Sequence, residues 1–228
     1  MTKLLTRAVI IGAFVALATQ VQAQLPDVTA PTNTVVGLHN TIAGGPNTVS
    51  TVGTGAGQFP AGEPPANAIN NTVAKYLNFG SGTSATSSAT QGANTGFYVT
   101  PAFPSLVTGL RFTTANDSPA RDPLTFTIEG TSGDPASATW TLIASGNTGL
   151  LTDPGRNFLQ SLATAPVFTN TNVFSSYRLL FPTHRAIANS MQIGEVEFLG
   201  VTIPEPSTFA LAGAGLLGLM VALRRRRR

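Results

Sequence analysis

Residues 124–129, LTFTIE, alternate strictly between apolar and polar side chains. Successive side chains of an extended strand point to opposite faces, so the three apolar residues share one face, and the two threonines and Glu129 share the other. This alternation is typical of a half-buried β-strand that packs one face on a core. The stretch therefore predicts one strand of a layered β-protein.

Six further runs of similar character lie on either side of this stretch and are separated by Gly, Pro, Asn and Asp. They are GFYVTP (96–101), VTGLRFTTA (107–115), TWTLIASG (139–146), APVFTNT (165–171), SSYRLLFPT (175–183) and MQIGEVEFLGV (191–201). Helical candidates are short, and comprise residues 66–73 and a single turn from Asn157. Short strands at regular spacing, broken by turn residues, predict an all-β sandwich or barrel.

The composition limits the partners of the chain. It contains no cysteine, so an exported form folds without disulfides, and thiol chemistry is excluded. Of the 13 Lys and Arg residues, two precede residue 24 and five end the chain, which leaves six basic against nine acidic residues between 24 and 203. The central part is mildly acidic despite the net charge of +3 of the whole chain. A nucleic-acid partner is therefore not expected.

The N-terminus, MTKLLTRAVIIGAFVALATQVQA, has the form of a secretory signal peptide. Lys3 and Arg7 precede an apolar core over residues 8–18, and a small-residue pattern ends at Ala23. We expect signal peptidase to cleave after Ala23, so that the signal peptide covers residues 1–23. The core is too short to favour a permanent membrane helix.

The C-terminal segment, residues 203–228, has three parts in order. Pro204-Glu205-Pro206 interrupts any arriving strand or helix, because proline lacks a backbone N–H. An uncharged run continues to Leu223 and falls slightly short of the roughly 20 apolar residues of a full bilayer span. The chain ends in Arg224, Arg225, Arg226, Arg227 and Arg228. The positive-inside rule places these arginines in the cytoplasm, so the segment predicts a C-terminal transmembrane helix with the rest of the protein outside.

The combination of Pro-Glu-Pro, a short apolar run and a terminal arginine cluster resembles the PEP-CTERM sorting signal of Gram-negative bacteria. The resemblance implies recognition by an exosortase, a membrane-embedded cysteine protease-transpeptidase, with cleavage near Pro204-Glu205-Pro206. The protein would be exported through the inner membrane, held there transiently, and passed to the cell surface or extracellular matrix. The tail is also known as an ice-binding-protein C-terminal domain, which does not indicate ice binding. A plain membrane anchor is the alternative.

The order of motifs over residues 60–200 resembles a discoidin-type, coagulation-factor type C-like domain. The matching pieces are EPPANAINNTVAKYLNFG (63–80), ARDP (120–123), TWTLI (139–143), YRLLF (177–181) and GEVEF (194–198). The resemblance implies a jelly-roll β-sandwich of the galactose-binding-domain type. The chain then divides into a signal peptide at 1–23, a Gly/Thr/Pro-rich segment at 24–62, the sandwich at 63–202 and the sorting signal at 203–228.

A structural calcium ion is common in domains of this type, and the resemblance implies Asn70 and Glu195 as side-chain ligands here. Asn70 stands where such domains carry Asp. An uncharged amide oxygen binds calcium more weakly than a carboxylate does. We therefore expect weak calcium binding at most, and no other cofactor.

Two further motifs have a structural and a functional interpretation. Trp140 would suit stacking on a sugar ring, but in an alternating strand a core position is favoured. Arg121-Asp122-Pro123 would suit a ligand-facing ion pair, but a turn is favoured, in which Asp122 accepts hydrogen bonds from backbone amides and Pro123 begins a strand.

Catalytic patterns are weak in this sequence. Glu195 and Glu197 share one strand face, and paired carboxylates can hydrolyse glycosides. Without a cleft or a raised-pKa partner in the pattern, a solvated or ion-paired strand face is the favoured interpretation. His39 and His184 have no metal-ligand spacing around them. No catalytic residue is assigned, and an enzyme is not expected.

Two functions from different classes fit these features. The favoured one is an exosortase-sorted cell-envelope or extracellular-matrix protein that binds or organises exopolysaccharide. The alternative is a structural surface or biofilm-matrix protein that binds no glycan. No ligand-binding residue follows from the sequence, because specificity of such domains lies in their loops.

Overall fold

The computed structural model of the chain describes residues 25–204 together with Ala214, Gly215 and Arg224. Outside these residues lie the predicted signal peptide with Ala23, Glu205, Pro206, most of the predicted transmembrane helix, and residues 225–228. Among the residues that are described, no helix is both long and apolar enough to cross a membrane.

The described residues form eleven strands and two short 3-10 helices. The strands are β1 (Thr34–Leu38), β2 (Thr51–Val52), β3 (Gln58–Phe59), β4 (Tyr76–Asn78), β5 (Thr95–Thr100), β6 (Ser105–Thr113), β7 (Pro123–Thr131), β8 (Thr141–Asn147), β9 (Ser176–His184), β10 (Met191–Ile193) and β11 (Glu195–Thr202). The 3-10 helices are Pro65–Ile69 and Pro119–Arg121.

Five strands form one antiparallel sheet in the order β1-β5-β9-β7-β8, which we call the five-strand sheet. The opposing layer consists of two antiparallel pairs, β4 with β10 and β6 with β11. Gly194 alone separates β10 from β11, so the two pairs follow one another along the layer. This arrangement confirms the predicted all-β sandwich.

The N-terminal part of the mature chain is built into both layers. β1 is an edge strand of the five-strand sheet. Residues 26–28 lie beside β11, where the Val28 amide donates to the Phe198 carbonyl at 2.9 Å and the Gly200 amide donates to the Pro26 carbonyl at 3.0 Å. The Gly/Thr/Pro-rich segment is therefore part of the sandwich.

The core lies between the two layers and is rich in aromatic rings. Phe97 of the five-strand sheet packs against Phe198 of the opposing layer with ring centroids 6.1 Å apart, and Phe181 packs against Phe112 at 6.3 Å. Burial of one large apolar side chain contributes about 1.5–3 kcal/mol to stability, so this layer of rings is a main source of cohesion. Phe126 lies in the same core, as the alternation around it predicted.

The outer face of the five-strand sheet carries a second buried cluster around an ion pair. Glu129 of β7 and Arg178 of β9 are both 0% exposed, with 2.6 Å between Arg178 Nη2 and Glu129 Oε2. The loop over residues 39–48 covers them: the Gly44 amide donates to Glu129 Oε1 at 2.7 Å, and Arg178 Nη1 donates to Asn47 Oδ1 at 2.8 Å. The alternation placed Glu129 on the face away from the core, and this loop removes the Glu129 side chain from water.

The two short helical segments predicted from the sequence differ from those in the structure. The 3-10 helix Pro65–Ile69 covers only part of the predicted 66–73, because Asn71 adopts the left-handed conformation with φ of 59°. Asn157 is also left-handed, with φ of 51°, and Leu159 forms a β-bridge with Thr113 where a helical turn was predicted.

Candidate functional site

An open cleft of about 240 Å³ lies where β11 begins. Its walls come from the start of β11, the end of β6, the loop after the first 3-10 helix, and the stretch after Gly155. The lining residues are Asn71, Thr72, Val73, Thr113, Asn157, Leu159, Glu195 and Glu197. We call this the Glu195 cleft. It contains one of the two residues predicted for calcium and lies next to the other.

Glu195 is buried at the base of this cleft, at 5% exposure. Its Oε2 accepts a hydrogen bond from the Asn71 amide at 3.0 Å. Its Oε1 is buried and has no hydrogen-bond partner among the described residues. Burial raises the pKa of Glu195 to about 8, and the negative charges of Asp27 and Glu197 add to the increase. The carboxyl therefore holds a proton at neutral pH unless a cation replaces it.

Asn70 directly precedes Asn71, whose amide bonds Glu195, but the Asn70 side chain is engaged elsewhere. Its Oδ1 accepts hydrogen bonds from the Thr72 amide at 2.9 Å and from Thr72 Oγ1 at 2.6 Å. Its Nδ2 donates to Asn67 Oδ1 at 3.3 Å. The amide oxygen predicted as a calcium ligand thus caps a turn of its own loop.

Glu197 and Asp27 are the other carboxylates near Glu195. Glu197 forms an ion pair with Arg111, with 3.3 Å between Oε2 and Nη1. Asp27 accepts a hydrogen bond from the Phe198 amide at 2.9 Å, and burial raises its pKa. The favoured interpretation of a solvated or ion-paired strand face is therefore correct for Glu197. It is wrong for Glu195, because the loop over residues 70–73 encloses that side chain without supplying a cation.

The donors in the cleft do not complete a calcium shell. Calcium takes about six to eight oxygen ligands. Glu195 Oε1 has no hydrogen-bond partner among the described residues, but Asn70 Oδ1 is already bonded to Thr72. Within the described part of the chain, no group of three or more His, Cys, Asp or Glu residues could hold a metal ion. Calcium at Asn70 and Glu195 stays a prediction.

The structure supplies two features of a glycosidase that the sequence pattern lacked, a cleft and a carboxyl of raised pKa. A carboxylic acid beside an ionised carboxylate is the pair that acid–base hydrolysis uses. Here, however, Glu195 Oε1 is shut off from solvent and Glu197 is paired with Arg111. We therefore assign neither residue a catalytic role.

The two other sequence candidates are structural. Trp140 is 5% exposed, and its ring lies 5.0 Å from the guanidinium carbon of Arg178, so the favoured core position is confirmed. Pro123 begins β7 as predicted. Asp122 is fully buried, and its carboxylate accepts hydrogen bonds from Arg156 at 2.6 Å and Arg185 at 3.2 Å. The prediction that Asp122 bonds backbone amides was wrong, because its carboxylate instead binds two guanidinium groups from neighbouring loops.

The pair of Glu129 and Arg178 was not predicted from the sequence. A signal for it was present in YRLLF, where a charged residue stands inside an otherwise apolar strand. A charge in a buried strand requires a partner, because an isolated ion is costly to remove from water. The identity of that partner depends on the register of β7 against β9, which places Glu129 opposite Arg178.

The chain leaves the sandwich at the far end of β11, away from the Glu195 cleft. Thr202 pairs with Ser105, and the Ile203 amide donates to the Pro104 carbonyl at 2.7 Å. Pro204 follows at once, and it is half-buried. The predicted processing motif therefore begins with no linker after the last strand.

Residues 202–227 match the family described as the PEP-CTERM protein-sorting motif. The match begins one residue before the predicted boundary at 203 and includes Pro204, Glu205 and Pro206. It confirms the predicted sorting signal, which implies export and a surface or extracellular location. None of the curated proteins compared with the chain matches it.

Several solved structures are similar to the chain. One is the family 32 carbohydrate-binding module of NanJ from Clostridium perfringens in complex with galactose, with 12% identity, coverage of 60% of this chain and 85% of that chain, and a TM-score of 0.43. Another is CBM32-3 from a family 31 glycoside hydrolase of Clostridium perfringens, with 12% identity, coverage of 67% and 90%, and a TM-score of 0.46. A third is a fucolectin from striped bass (Morone saxatilis) serum, with 14% identity, coverage of 81% and 52%, and a TM-score of 0.48.

Proposed function

We propose that this chain is a non-catalytic, exosortase-sorted protein of the cell surface or extracellular matrix, whose β-sandwich binds or organises extracellular polysaccharide. The observation that carries the proposal is the position of the sorting motif, which begins on Thr202, the last residue of β11. Processing at Pro204-Glu205-Pro206 would therefore separate the whole folded domain from the tail. Signal peptidase would remove residues 1–23 at the other end.

Each part of the tail has a distinct role in this proposal. The terminal arginines hold the C-terminus in the cytoplasm, since each costs roughly 2.5–3.5 kcal/mol at the centre of a membrane. The uncharged run from Phe209 to Leu223 holds the chain in the bilayer. Pro204-Glu205-Pro206 is the segment that exosortase would bind at the outer surface.

The Glu195 cleft is the glycan site that we favour. It presents hydroxyl and amide groups and the Glu197 carboxylate beside the apolar side chain of Leu159, which is 45% exposed. A mixture of an apolar wall and a few polar groups is typical of small-molecule sites, and sugar rings offer both C–H faces and hydroxyl groups to such a wall. The ordered resemblance of residues 60–200 to galactose-binding jelly rolls supports the same ligand class.

One observation favours the structural alternative. Sugar sites commonly stack a ring on the face of a Trp or Tyr side chain. In the described part of this chain, Trp140 is 5% exposed, and Tyr76, Tyr98 and Tyr177 are at most 7% exposed. A matrix protein that binds no glycan would need no exposed Trp or Tyr side chain.

A glycan array with residues 24–203 distinguishes the two functions. We expect binding to at least one polysaccharide, such as that of the host, and we expect Leu159→Arg to abolish it by blocking the Glu195 cleft. Leu142→Arg is the matched control, because Leu142 is 55% exposed and lines a separate cleft beside β8. Failure to bind any polysaccharide would favour the matrix protein, and loss of binding in the Leu142 variant alone would move the site to the β8 cleft.

The sorting step has its own test in the native host. We expect Glu205→Ala to leave membrane insertion intact and the precursor uncut. Removal of the five arginines should instead allow the tail to be translocated across the membrane. Mass spectrometry of the mature C-terminus measures both results. An intact Arg228 on the mature surface protein would contradict sorting and leave only a membrane anchor.

A further inference from the structure

The end of the sandwich from which the tail departs carries an exposed apolar patch. We call it the exit patch and define it as Phe103, Val173, Val201 and Ile203, which are 49%, 40%, 39% and 43% exposed. Phe103 lies in the turn between β5 and β6, and Val173 lies just before β9. Val201 is the second-last residue of β11, and Ile203 follows the end of that strand. Three separate parts of the chain thus bring apolar side chains to one end of the molecule.

Hydrogen bonds tie these three parts to one short stretch, residues 104–106. The Ile203 amide donates to the Pro104 carbonyl at 2.7 Å. Ser105 and Phe174 exchange two backbone hydrogen bonds, of 2.9 Å and 3.0 Å. Val201 is the register partner of Leu106 on the neighbouring strand. The backbone segments that carry the exit patch are therefore neighbours, and the sandwich holds them in place.

The exit patch is also uncharged. Residues 101–106, 171–175 and 199–204 contain no Asp, Glu, Lys or Arg. The acidic residue Asp134 is exposed at the same end, but it belongs to the loop between β7 and β8 on the other sheet. An apolar, uncharged surface next to a carboxylate on one side suits contact with a lipid surface at a tilt, with the five-strand sheet leaning toward water.

The length of chain between this patch and the apolar run limits the distance from the membrane. Phe209, which marks the start of the apolar run, is five positions after Pro204, with four residues between them. Fully extended, these five Cα-to-Cα steps span at most about 18 Å. While the apolar run is in the bilayer, the exit patch cannot lie farther than this from the membrane surface. A patch of four apolar side chains held so close gains free energy by entering the interface.

We propose that the exit patch rests on the outer surface of the lipid bilayer while the tail is anchored, and so fixes the orientation of the sandwich and of Pro204-Glu205-Pro206 relative to the membrane. This inference rests on the proposed sorting function. The occupant of the patch is a lipid surface, and release of the tail by processing removes the tether that keeps the patch there.

Site-specific spin labels test this orientation, because the chain has no cysteine of its own. Phe103→Cys and, separately, Val173→Cys place a label on the exit patch. Ile187→Cys is the matched control, since Ile187 is an apolar residue 69% exposed near the opposite end, three residues after β9. The full chain is exported in a Gram-negative host without exosortase. The membrane-bound product is reconstituted in vesicles of phosphatidylethanolamine and phosphatidylglycerol, and its termini are read by mass spectrometry.

We expect the protein to float with the vesicles. Oxygen, which concentrates in lipid, should increase the relaxation rates of the labels at 103 and 173 more than a water-soluble nickel chelate does. The label at 187 should show the reverse. If the protein floats but all three labels are accessible to the water-soluble reagent, the proposed lipid contact is wrong although the tail is anchored. Labels at 103 and 173 shielded from both reagents would mean that a second copy covers the patch, which also overturns it. Failure to float would overturn the anchored tail, and with it this inference.

Discussion

At the scale of single residues, Glu129 and Arg178 form an ion pair that is fully buried in the sandwich. Both side chains are fully buried, and the carboxylate and guanidinium groups bond to each other and to the loop over residues 39–48. A buried ion pair is weak evidence for net stability, because desolvation offsets the attraction. Its more secure role is to specify which loop covers the outer face of the five-strand sheet, since another covering segment would leave the charges unpartnered.

Breaking this pair from one side should be costly. We expect Glu129→Ala to lower the free energy of unfolding by about 3–5 kcal/mol, because Arg178 is left as a buried, unpaired charge. The double variant Glu129→Leu with Arg178→Met should lose less than the single variant, since it strands no charge. Urea denaturation of residues 24–203 measures both.

The control for this prediction is Asp117→Asn. Asp117 pairs with Lys75 at 2.8 Å, and its side chain is 48% exposed. The Lys75 side chain is 9% exposed but keeps Glu63 as a partner at 3.4 Å, so loss of the exposed Asp117 carboxylate should cost only about 0–1 kcal/mol. Equal losses in the Glu129 and Asp117 variants would contradict the strong role of burial.

Glu195 makes the stability of the sandwich depend on pH. Its ordinary pKa is 4.5, and burial raises it to about 8 in the folded protein. Below pH 4.5 the carboxyl is protonated in both the folded and unfolded states. Between these two values the folded state keeps the proton that the unfolded state loses, so the free energy of unfolding falls as pH rises and levels off above about pH 8.

We therefore expect Glu195→Gln to be more stable than the parent protein at pH 8 and similar to it at pH 4.5. The difference should grow by about 1.4 kcal/mol for each pKa unit of the shift. Urea denaturation over this pH range, with a metal chelator present, measures it. Glu197→Gln is the control in the same cleft and should keep the pH dependence. Parallel pH profiles of parent and Glu195→Gln would contradict the burial argument.

Calcium should have little effect on this site. The ion would have to displace the proton of Glu195 and compete with Thr72 for Asn70. We expect added calcium to raise the melting temperature slightly or not at all, and Glu195→Ala to abolish any rise. A stabilisation above about 3 kcal/mol, which requires free calcium at roughly 100 to 1,000 times its dissociation constant, would contradict this and show a tight site.

At the scale of elements, β11 connects the candidate site to the sorting motif. Its first residue, Glu195, closes the cleft, and its last, Thr202, begins the motif. The strand is hydrogen-bonded to β6 on one side and to residues 26–28 on the other. The register against β6 shifts between Leu199 and Gly200, which marks a bulge.

Glycine at position 200 is required by this close approach. A Cβ there would lie 2.2 Å from the Leu106 carbonyl oxygen and 2.9 Å from the Val107 Cα, both of them backbone atoms that cannot yield easily. We expect Gly200→Ala to lower the free energy of unfolding by about 1–3 kcal/mol through overpacking. Thermal and urea denaturation measure the loss.

Gly62→Ala is the matched control, because a Cβ at Gly62 meets nothing within 4 Å. That change should be neutral or stabilise slightly, by restricting the unfolded chain. If both alanine variants were equally stable, the tight pairing of β11 with β6 would be wrong.

At the scale of the whole molecule, the sandwich closes only when residues before 63 are included. β1 pairs with β5 over five residues, from Thr34 opposite Thr100 to Leu38 opposite Gly96. Leu38 is fully buried in the outer cluster, and residues 26–28 extend the opposing layer. The folded unit therefore runs from about residue 25 to Pro204.

We expect a fragment of residues 63–203 to be unfolded or molten under conditions in which residues 24–203 unfold cooperatively. The shorter fragment loses an edge strand and the loop that covers Glu129 and Arg178. Circular dichroism and urea denaturation compare the two. The control is a fragment of residues 24–208, which adds only the residues before the apolar run and should be as stable as residues 24–203. A cooperative transition of equal midpoint in the shorter fragment would contradict this assignment.

The candidate site was predictable only in part. Glu195 and the Asn70 loop could be placed near each other by resemblance, and the structure brings the Asn71 amide to Glu195. The burial of Glu195 could not be predicted, because it depends on how the loop over residues 70–73 folds across the start of β11. The exit patch could not be predicted either, because its members come from positions as distant as 103 and 203.

The sequence alone determined the β class, the alternation that places Phe126 and Ile128 in the core, and the sorting motif at the C-terminus. These features depend on local periodicity and on contiguous motifs, which can be read without knowing which strands meet. Only the tertiary structure decided that Glu129 finds Arg178, that Asp122 binds two guanidinium groups, and that the N-terminal segment completes both layers. The physical reason is that burial and ion pairing depend on contacts between residues far apart in the chain, and strand register sets those contacts.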